Sequence, residues 1–217
     1  MKRIIEVSLS GLCLMLLLPL FLVIGAAIKA ESRGPVFFRQ ERVGKGFRRF
    51  RIYKFRTMVQ SASESGPLVT AGGDSRVTRL GAILRRTKID ELAQLINVFV
   101  GDMSFVGPRP EVPRYVDDYR ENYAKILRVK PGITDMSSII FRDEEKLLQG
   151  RDNPEDYYRS MLLPLKLRIA EIYVENASML LDLRILLDTA AKVVCPDRKR
   201  SAYMNRLLGD LLDRNIA

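Results

Sequence analysis

The sequence predicts a mainly α protein with a small β-hairpin, built in two parts. Residues 1–32 form an N-terminal re-entrant membrane helix-break-helix, and residues 33–217 form a compact cytoplasmic domain with interfacial amphipathic helices. Three observations predict it. Residues 7–28 are uncharged and long enough to cross a bilayer core, residues 34–58 set two aromatic and basic runs about a glycine-bearing turn, and apolar residues then recur at three- and four-residue spacings.

The first element reads VSLSGLCLMLLLPLFLVIGAAI. At ~1.5 Å rise per residue it spans a hydrocarbon core of ~30 Å. Lys2 and Arg3 precede it, and Lys29, Arg33, Arg39, Arg42, Lys45, Arg48, Arg49 and Arg51 follow. Positive charge marks the cytoplasmic side, and here it flanks both ends. Pro19 lies near the middle, where it removes a backbone hydrogen bond and favours a bend. Charge at both ends and a central proline favour a segment that enters and returns on one face. A proline-kinked spanning helix is the second reading. A cleaved signal peptide is the third, opposed by the length of the apolar run and the basic sequence downstream.

The next element, GPVFFRQERVGKGFRRFRIYKFRTM, turns at Gly44-Lys45-Gly46 and reads as a short hairpin with a solvated basic face. Residues 60–75 are rich in Ser, Gly and Ala and read as a loop. From Val77 to Phe99 the spacing of Leu80, Ile83, Leu84, Leu92, Leu95, Ile96 and Phe99 predicts a helix, ended by Gly101. In VGPRPEVP, residues 106–113, the prolines stiffen the chain and hold Arg109 with little backbone freedom. RVKPGIT, residues 128–134, is a turn. Residues 155–195 form apolar-rich helices in which Leu165, Leu167, Ile169, Ile172 and Tyr173 pack in a core or lie in a membrane interface.

Composition excludes several chemistries. Among 217 residues, 36 Lys and Arg against 26 Asp and Glu favour anionic partners such as phosphorylated substrates, acidic lipid or nucleic acid. The chain has no histidine, so a Ser-His-Asp triad, a Cys-His pair and the commonest zinc ligand are excluded. Cys13 and Cys195 have neither zinc nor disulfide spacing.

Asp90 and Glu91 stand at the head of an apolar run in RRTKIDELAQL. One reading is structural: Thr87 caps a helix with Asp90 three positions on, and both acids complement the dipole. The other is a functional pair, whose phosphate-bearing substrate the same free N–H groups would favour.

KFRTM (54–58), the run from Asp74 to Pro110 that contains RRTKIDELAQL and ends in VGPRP, and KPGIT (130–134) together resemble the bacterial sugar transferase family. These are monotopic polyprenyl-phosphate phosphoglycosyl transferases that begin exopolysaccharide, capsule, O-antigen or glycoprotein glycan assembly. The resemblance implies a catalytic domain at the cytoplasmic face of the bacterial inner membrane. It also implies transfer of a phosphosugar from a UDP-sugar to undecaprenyl phosphate, with release of UMP through a sugar-phosphoryl aspartate. Asp90 matches the nucleophile and magnesium ligand, and Glu91 its partner. Arg85 and Arg109 match substrate-binding arginines, and Lys54 and Arg56 are further substrate-binding candidates from KFRTM. The expected cofactor is Mg²⁺; the expected partners are the UDP-sugar, polyprenyl phosphate and membrane lipid but no nucleic acid, with homo-oligomerisation open. A noncatalytic basic membrane scaffold or acidic-lipid-binding module is the alternative.

Three departures accompany the resemblance. Ala93 stands where the family usually has proline, Leu18-Pro19 where many members have Ser-Pro, and Asp135-Met136-Ser137-Ser138-Ile139 where many have Gly-Trp-Ala-Gln-Val. The last leaves the identity of the sugar open.

Overall fold

The computed structural model describes residues 2–59 and 73–195, together with 205, 208 and 209. Residues 60–72 of the expected loop lie outside the described residues. Helix α1 (Lys2–Glu31) leads into strands β1 (Phe37–Val43) and β2 (Arg49–Phe55). Helix α2 (Arg79–Thr87), a 3-10 turn (Ile89–Gln94) and α3 (Leu95–Val100) follow. Next come β3 (Ser104–Val106), α4 (Pro113–Asp118), α5 (Arg120–Ile126), β4 (Gly132–Thr134), α6 (Met136–Ile140), α7 (Glu144–Leu148) and α8 (Pro154–Tyr157). A π turn (Tyr158–Leu162) joins α8 to α9 (Leu163–Glu175), and α10 (Met179–Val194) completes the described elements.

Helix α1 runs through Pro19 as a single helix, so the expected helix-break-helix is not seen as a break in secondary structure. A proline costs the helix one N–H donor, and the leucine-rich turns on both sides carry the remaining ladder across it. Both ends of α1 are bound by the rest of the chain. At the start, Lys2 pairs with Asp182 at 2.7 Å, the Arg3 guanidinium donates to the Val98 and Phe99 carbonyls, and the Ser104 hydroxyl donates to Glu6. At the other end Ile24 and Ile28 pack with Phe55, Leu84 and Ala93. Between them Leu9, Leu12, Met15, Leu16, Leu22 and Val23 are exposed.

The hairpin forms as its sequence predicts. Phe37 pairs with Phe55 and Val43 with Arg49 across an antiparallel ladder, with Gly44, Lys45 and Gly46 at the turn. Its free edge is closed by one side chain. The Asn97 carboxamide accepts from the Tyr53 N–H at 2.9 Å and donates to the Arg51 carbonyl at 2.8 Å, as a neighbouring strand would. Asn97 is fully buried, so this contact locks α3 onto β2.

The single helix expected over Val77–Phe99 is instead two helices and a turn. Thr78, not Thr87, is a side-chain cap: its hydroxyl accepts from the Gly81 N–H. The Thr87 hydroxyl points backwards to the Ile83 and Leu84 carbonyls, and Lys88 enters the left-handed region and closes α2. The segment serves two clusters. Leu84 and Ala93 pack toward α1 and Phe55, whereas Val98 packs with Phe50, Ile52 and Met103. Each large apolar side chain so buried contributes roughly 1.5–3 kcal/mol.

The largest core joins α4, α5, α6, α9 and α10. Leu167, Ile169 and Tyr173 are buried there, and Leu165 and Ile172 pack against it, so these residues serve the core. A second sheet was not expected: β3 and β4 form a short parallel pair. It crosses backbone on backbone, because a Cβ on Gly132 would lie 2.1 Å from the Gly107 nitrogen. Glycine at both positions is what lets VGPRP and KPGIT meet.

Candidate functional site

Asp90 and Glu91 occupy the first turn of the 3-10 segment. With about three residues per turn, neighbours diverge by a third of a turn and residues three apart eclipse. Asp90 therefore shares its side with Ala93, and both are buried. Because this segment is six residues of 3-10 geometry, its terminus offers little of the dipole expected from a long helix.

Glu91 is held from two directions. Lys54 of β2 donates to Oε1 at 2.7 Å, and Arg109 donates to Oε1 at 2.7 Å and to Oε2 at 3.4 Å. Burial pushes the Glu91 carboxyl up, but Arg109 and Lys54 outweigh it and hold it well below the usual range. Glu91 in turn holds the Arg109 guanidinium firmly protonated. Burial pulls the Lys54 ammonium down, and Glu91 offsets this in part.

Asp90 differs. Its side chain is buried, and its Oδ1 has no hydrogen-bond partner among the described residues. Burial raises its carboxyl, Glu91 adds to the rise, and Lys54, Lys88 and Arg85 oppose it only in part. An unpartnered buried carboxylate oxygen is costly unless something occupies it. It is a suitable ligand for a hard cation such as Mg²⁺. Among the described residues no group of three or more His, Cys, Asp or Glu gathers around a metal position. Magnesium needs no such cluster, since it is commonly held by one or two carboxylates with water and substrate phosphate.

Arg109 is presented by the β3–β4 crossing. The Gly132 N–H donates to the Pro108 carbonyl at 3.1 Å, and the Gly107 N–H to the Thr134 carbonyl at 3.2 Å. Asp135 completes the mooring. Its Oδ2 accepts from the Arg109 N–H at 3.3 Å, while its Oδ1 caps α6 through the Ser138 N–H at 2.7 Å. The Asp-Met-Ser-Ser departure is thus a helix cap that also fixes the arginine's backbone.

The structure gathers Lys54, Asp90, Glu91 and Arg109; of the two other candidates, Arg56 makes its contacts elsewhere, and Arg85 keeps its charge near Asp90 while its hydrogen bonds go to other groups. Arg56 is buried against the end of α1, donating to the Ser32 carbonyl at 2.7 Å and to the Ser32 hydroxyl at 2.9 Å. Arg85 donates to the Thr57 hydroxyl at 3.0 Å and to Glu145 at 2.9 Å, rather than to Glu91. Sequence reasoning missed Asn97, Asp135 and Glu145. The cap pattern Asp-x-x-Ser was the one signal available for Asp135; the other two act through contacts distant in sequence.

Known proteins resemble this chain over most of its length. The family model described as bacterial sugar transferase matches residues 1–196. The chain is 38% identical over 196 residues to a UDP-N-acetylgalactosamine-undecaprenyl-phosphate N-acetylgalactosaminephosphotransferase of Aeromonas hydrophila, covering 89% of this chain and 43% of that one. It is 39% identical over 202 residues to a UDP-glucose:undecaprenyl-phosphate glucose-1-phosphate transferase of Caulobacter vibrioides, covering 90% and 70%. It is 34% identical over 200 residues to the exopolysaccharide production protein PSS of Rhizobium leguminosarum bv. phaseoli, covering 87% and 92%. The chain spans under half the length of the Aeromonas relative.

Proposed function

The chain belongs to the bacterial sugar transferase family, and from that premise we propose that it moves a phosphosugar from a UDP-sugar to undecaprenyl phosphate, with Asp90 as the covalent nucleophile. The observation that carries this reading is the contrast at residues 90 and 91. Among the described residues Asp90 keeps a buried carboxylate oxygen unengaged, while Glu91 is held by Lys54 and Arg109.

In the first half-reaction an Asp90 oxygen attacks the β-phosphorus of the donor. The bond from that phosphorus to the bridging oxygen breaks, and UMP leaves with the electron pair. In the second, an oxygen of undecaprenyl phosphate attacks the same phosphorus and Asp90 departs as carboxylate. A carboxylate is an adequate nucleophile when the electrophile's charge is neutralised. Mg²⁺ taken by Asp90 with the donor diphosphate would supply that neutralisation. Arg109 is the proposed contact to the donor diphosphate, with Lys54 holding Glu91 beside it. Arg85 is the second arginine of the binding site, and its pairing with Glu145 gives a phosphate a carboxylate to displace. The contacts of Arg56 favour a role in holding α1 over one in binding substrate.

The same reading puts residues 1–32 in the membrane and residues 33–217 at the cytoplasmic face of the inner membrane. The re-entrant placement of α1 is supported by the binding of both its ends to one folded body. Exposed Phe99 and Val100 after the site, with Met179, Leu180, Leu183 and Leu187 on α10, support an apolar face resting at the interface.

The experiment is UMP release in nanodiscs containing polyprenyl phosphate and Mg²⁺, with a panel of UDP-sugars, for the parent and Asp90→Asn. The expected outcome is release by the parent and a loss of about 10³-fold or more in the folded variant. Silence of the parent across the panel would favour a noncatalytic membrane scaffold.

A further inference from the structure

The break between α2 and the 3-10 turn is built on Lys88, whose φ of 60° and ψ of 15° lie in the left-handed region. Glycine and asparagine enter that region readily, whereas a longer side chain does so at a steric cost. Nothing in the backbone asks for lysine. Its N–H donates to the Arg85 carbonyl and its own carbonyl accepts from the Glu91 N–H, contacts that any residue except proline would make.

Phe47 is the other non-glycine residue at positive φ among the described residues, and its side chain accounts for it. The ring packs against the main core, with the Arg120 guanidinium 4.8 Å above it. The Lys88 side chain has no such anchor. It is exposed, and its ammonium makes no ion pair or hydrogen bond among the described residues. It stands two residues before Asp90, and its charge acts on that carboxylate. A strained residue with an unanchored cation beside a nucleophile is the pattern of a side chain kept for its chemistry.

We propose that Lys88 is a further substrate-binding residue, whose ammonium receives a substrate phosphate beside Asp90. The inference rests on the reading of Asp90 as nucleophile. The donor diphosphate and the polyprenyl phosphate share this chemistry, and the experiment separates them.

UMP release is measured in nanodiscs with UDP-sugar and polyprenyl phosphate varied in turn. The proteins are the parent, Asp90→Asn, Lys88→Gly, Lys88→Gln and Lys88→Arg, and thermal unfolding of each is followed alongside. Lys88→Gly is expected to unfold at a higher temperature than the parent, because glycine suits the backbone, while its kcat/KM falls about tenfold or more. Lys88→Gln is expected to lose as much and Lys88→Arg to recover most of it. A KM rise for the UDP-sugar assigns the donor diphosphate, and one for polyprenyl phosphate assigns the acceptor. The proposal is overturned if Lys88→Gln retains the parent's kcat/KM for both substrates, or if Lys88→Arg is as impaired as Lys88→Gln. A parent that releases no UMP overturns the Asp90 reading and this proposal together. A parent silenced by Asp90→Asn but indifferent to Lys88→Gln overturns this proposal alone.

Discussion

Glu91 sits in a closed ion-pair cluster, with Lys54 and Arg109 each 2.7 Å from one of its oxygens, whereas Asp90, one residue earlier, keeps a buried oxygen without a partner among the described residues. The same residue class at adjacent positions thus meets opposite environments. The 3-10 turn makes this possible by turning the two side chains a third of a revolution apart. One acid fixes two cations, and the other keeps an oxygen unengaged among the described residues.

The largest expected effect on folding comes from breaking the closed side. Glu91→Gln leaves Lys54 and Arg109 half-buried without their carboxylate and should cost about 2–3 kcal/mol by chemical denaturation, less than a fully buried pair because Arg109 stays about a third exposed. The pH dependence sharpens the contrast. The folded-state pKa of Glu91 lies below its ordinary 4.5, so its contribution is present above that value and is lost as pH falls through the folded pKa. Glu91→Gln should flatten this acid limb of the stability curve.

A second test asks whether the wall behind the pair matters. Asn97→Ala strips the edge of β2 of its donor and acceptor, leaving the Tyr53 N–H and the Arg51 carbonyl unpaired, and should cost about 1–3 kcal/mol. A loss no larger than that of a surface mutation would mean that water replaces the carboxamide.

The Asp90 side should respond with the opposite sign. Its folded pKa lies above its ordinary 3.8, so its charged form works against folding once pH rises past that value. Asp90→Asn should therefore raise the unfolding midpoint at neutral pH while activity is lost, and a lowered midpoint would sink this account of the burial. The smallest effect is expected from Arg49→Ala. Its pair with Glu41 has side chains 63% and 47% exposed, and stability should move by no more than about 0.5 kcal/mol.

What was legible in the sequence was what depends on neighbours along the chain. The Gly44-Lys45-Gly46 turn placed the hairpin, Gly101 at φ 101° ends α3, and the order of the motifs identified Asp90, Glu91 and Arg109 as belonging together. The break at Lys88 was not legible, because lysine carries no signal for a left-handed backbone and the apolar spacing runs on past it. Arg56 and Arg85 are substrate-binding candidates through the resemblance, which says nothing of their packing in this chain. Their contacts with Ser32 and Glu145 join segments 24 and 60 residues apart, which periodicity cannot register. The same holds for β3 and β4, whose three-residue strands are too short to show alternation.

The clasping of α1 at both ends has a mechanical consequence. Arg3 grips the carbonyl end of α3, the short helix that directly follows the Asp90–Glu91 turn, while Arg56 grips the last turn of α1 at Ile28 and the adjoining Ser32. An apolar helix adjusts its tilt to the thickness of the bilayer around it. With α1 in the membrane as proposed, such a tilt would meet bound contacts at both ends, so the helix and the body bearing the two carboxylates would turn together and lipid composition would set the pose of the site.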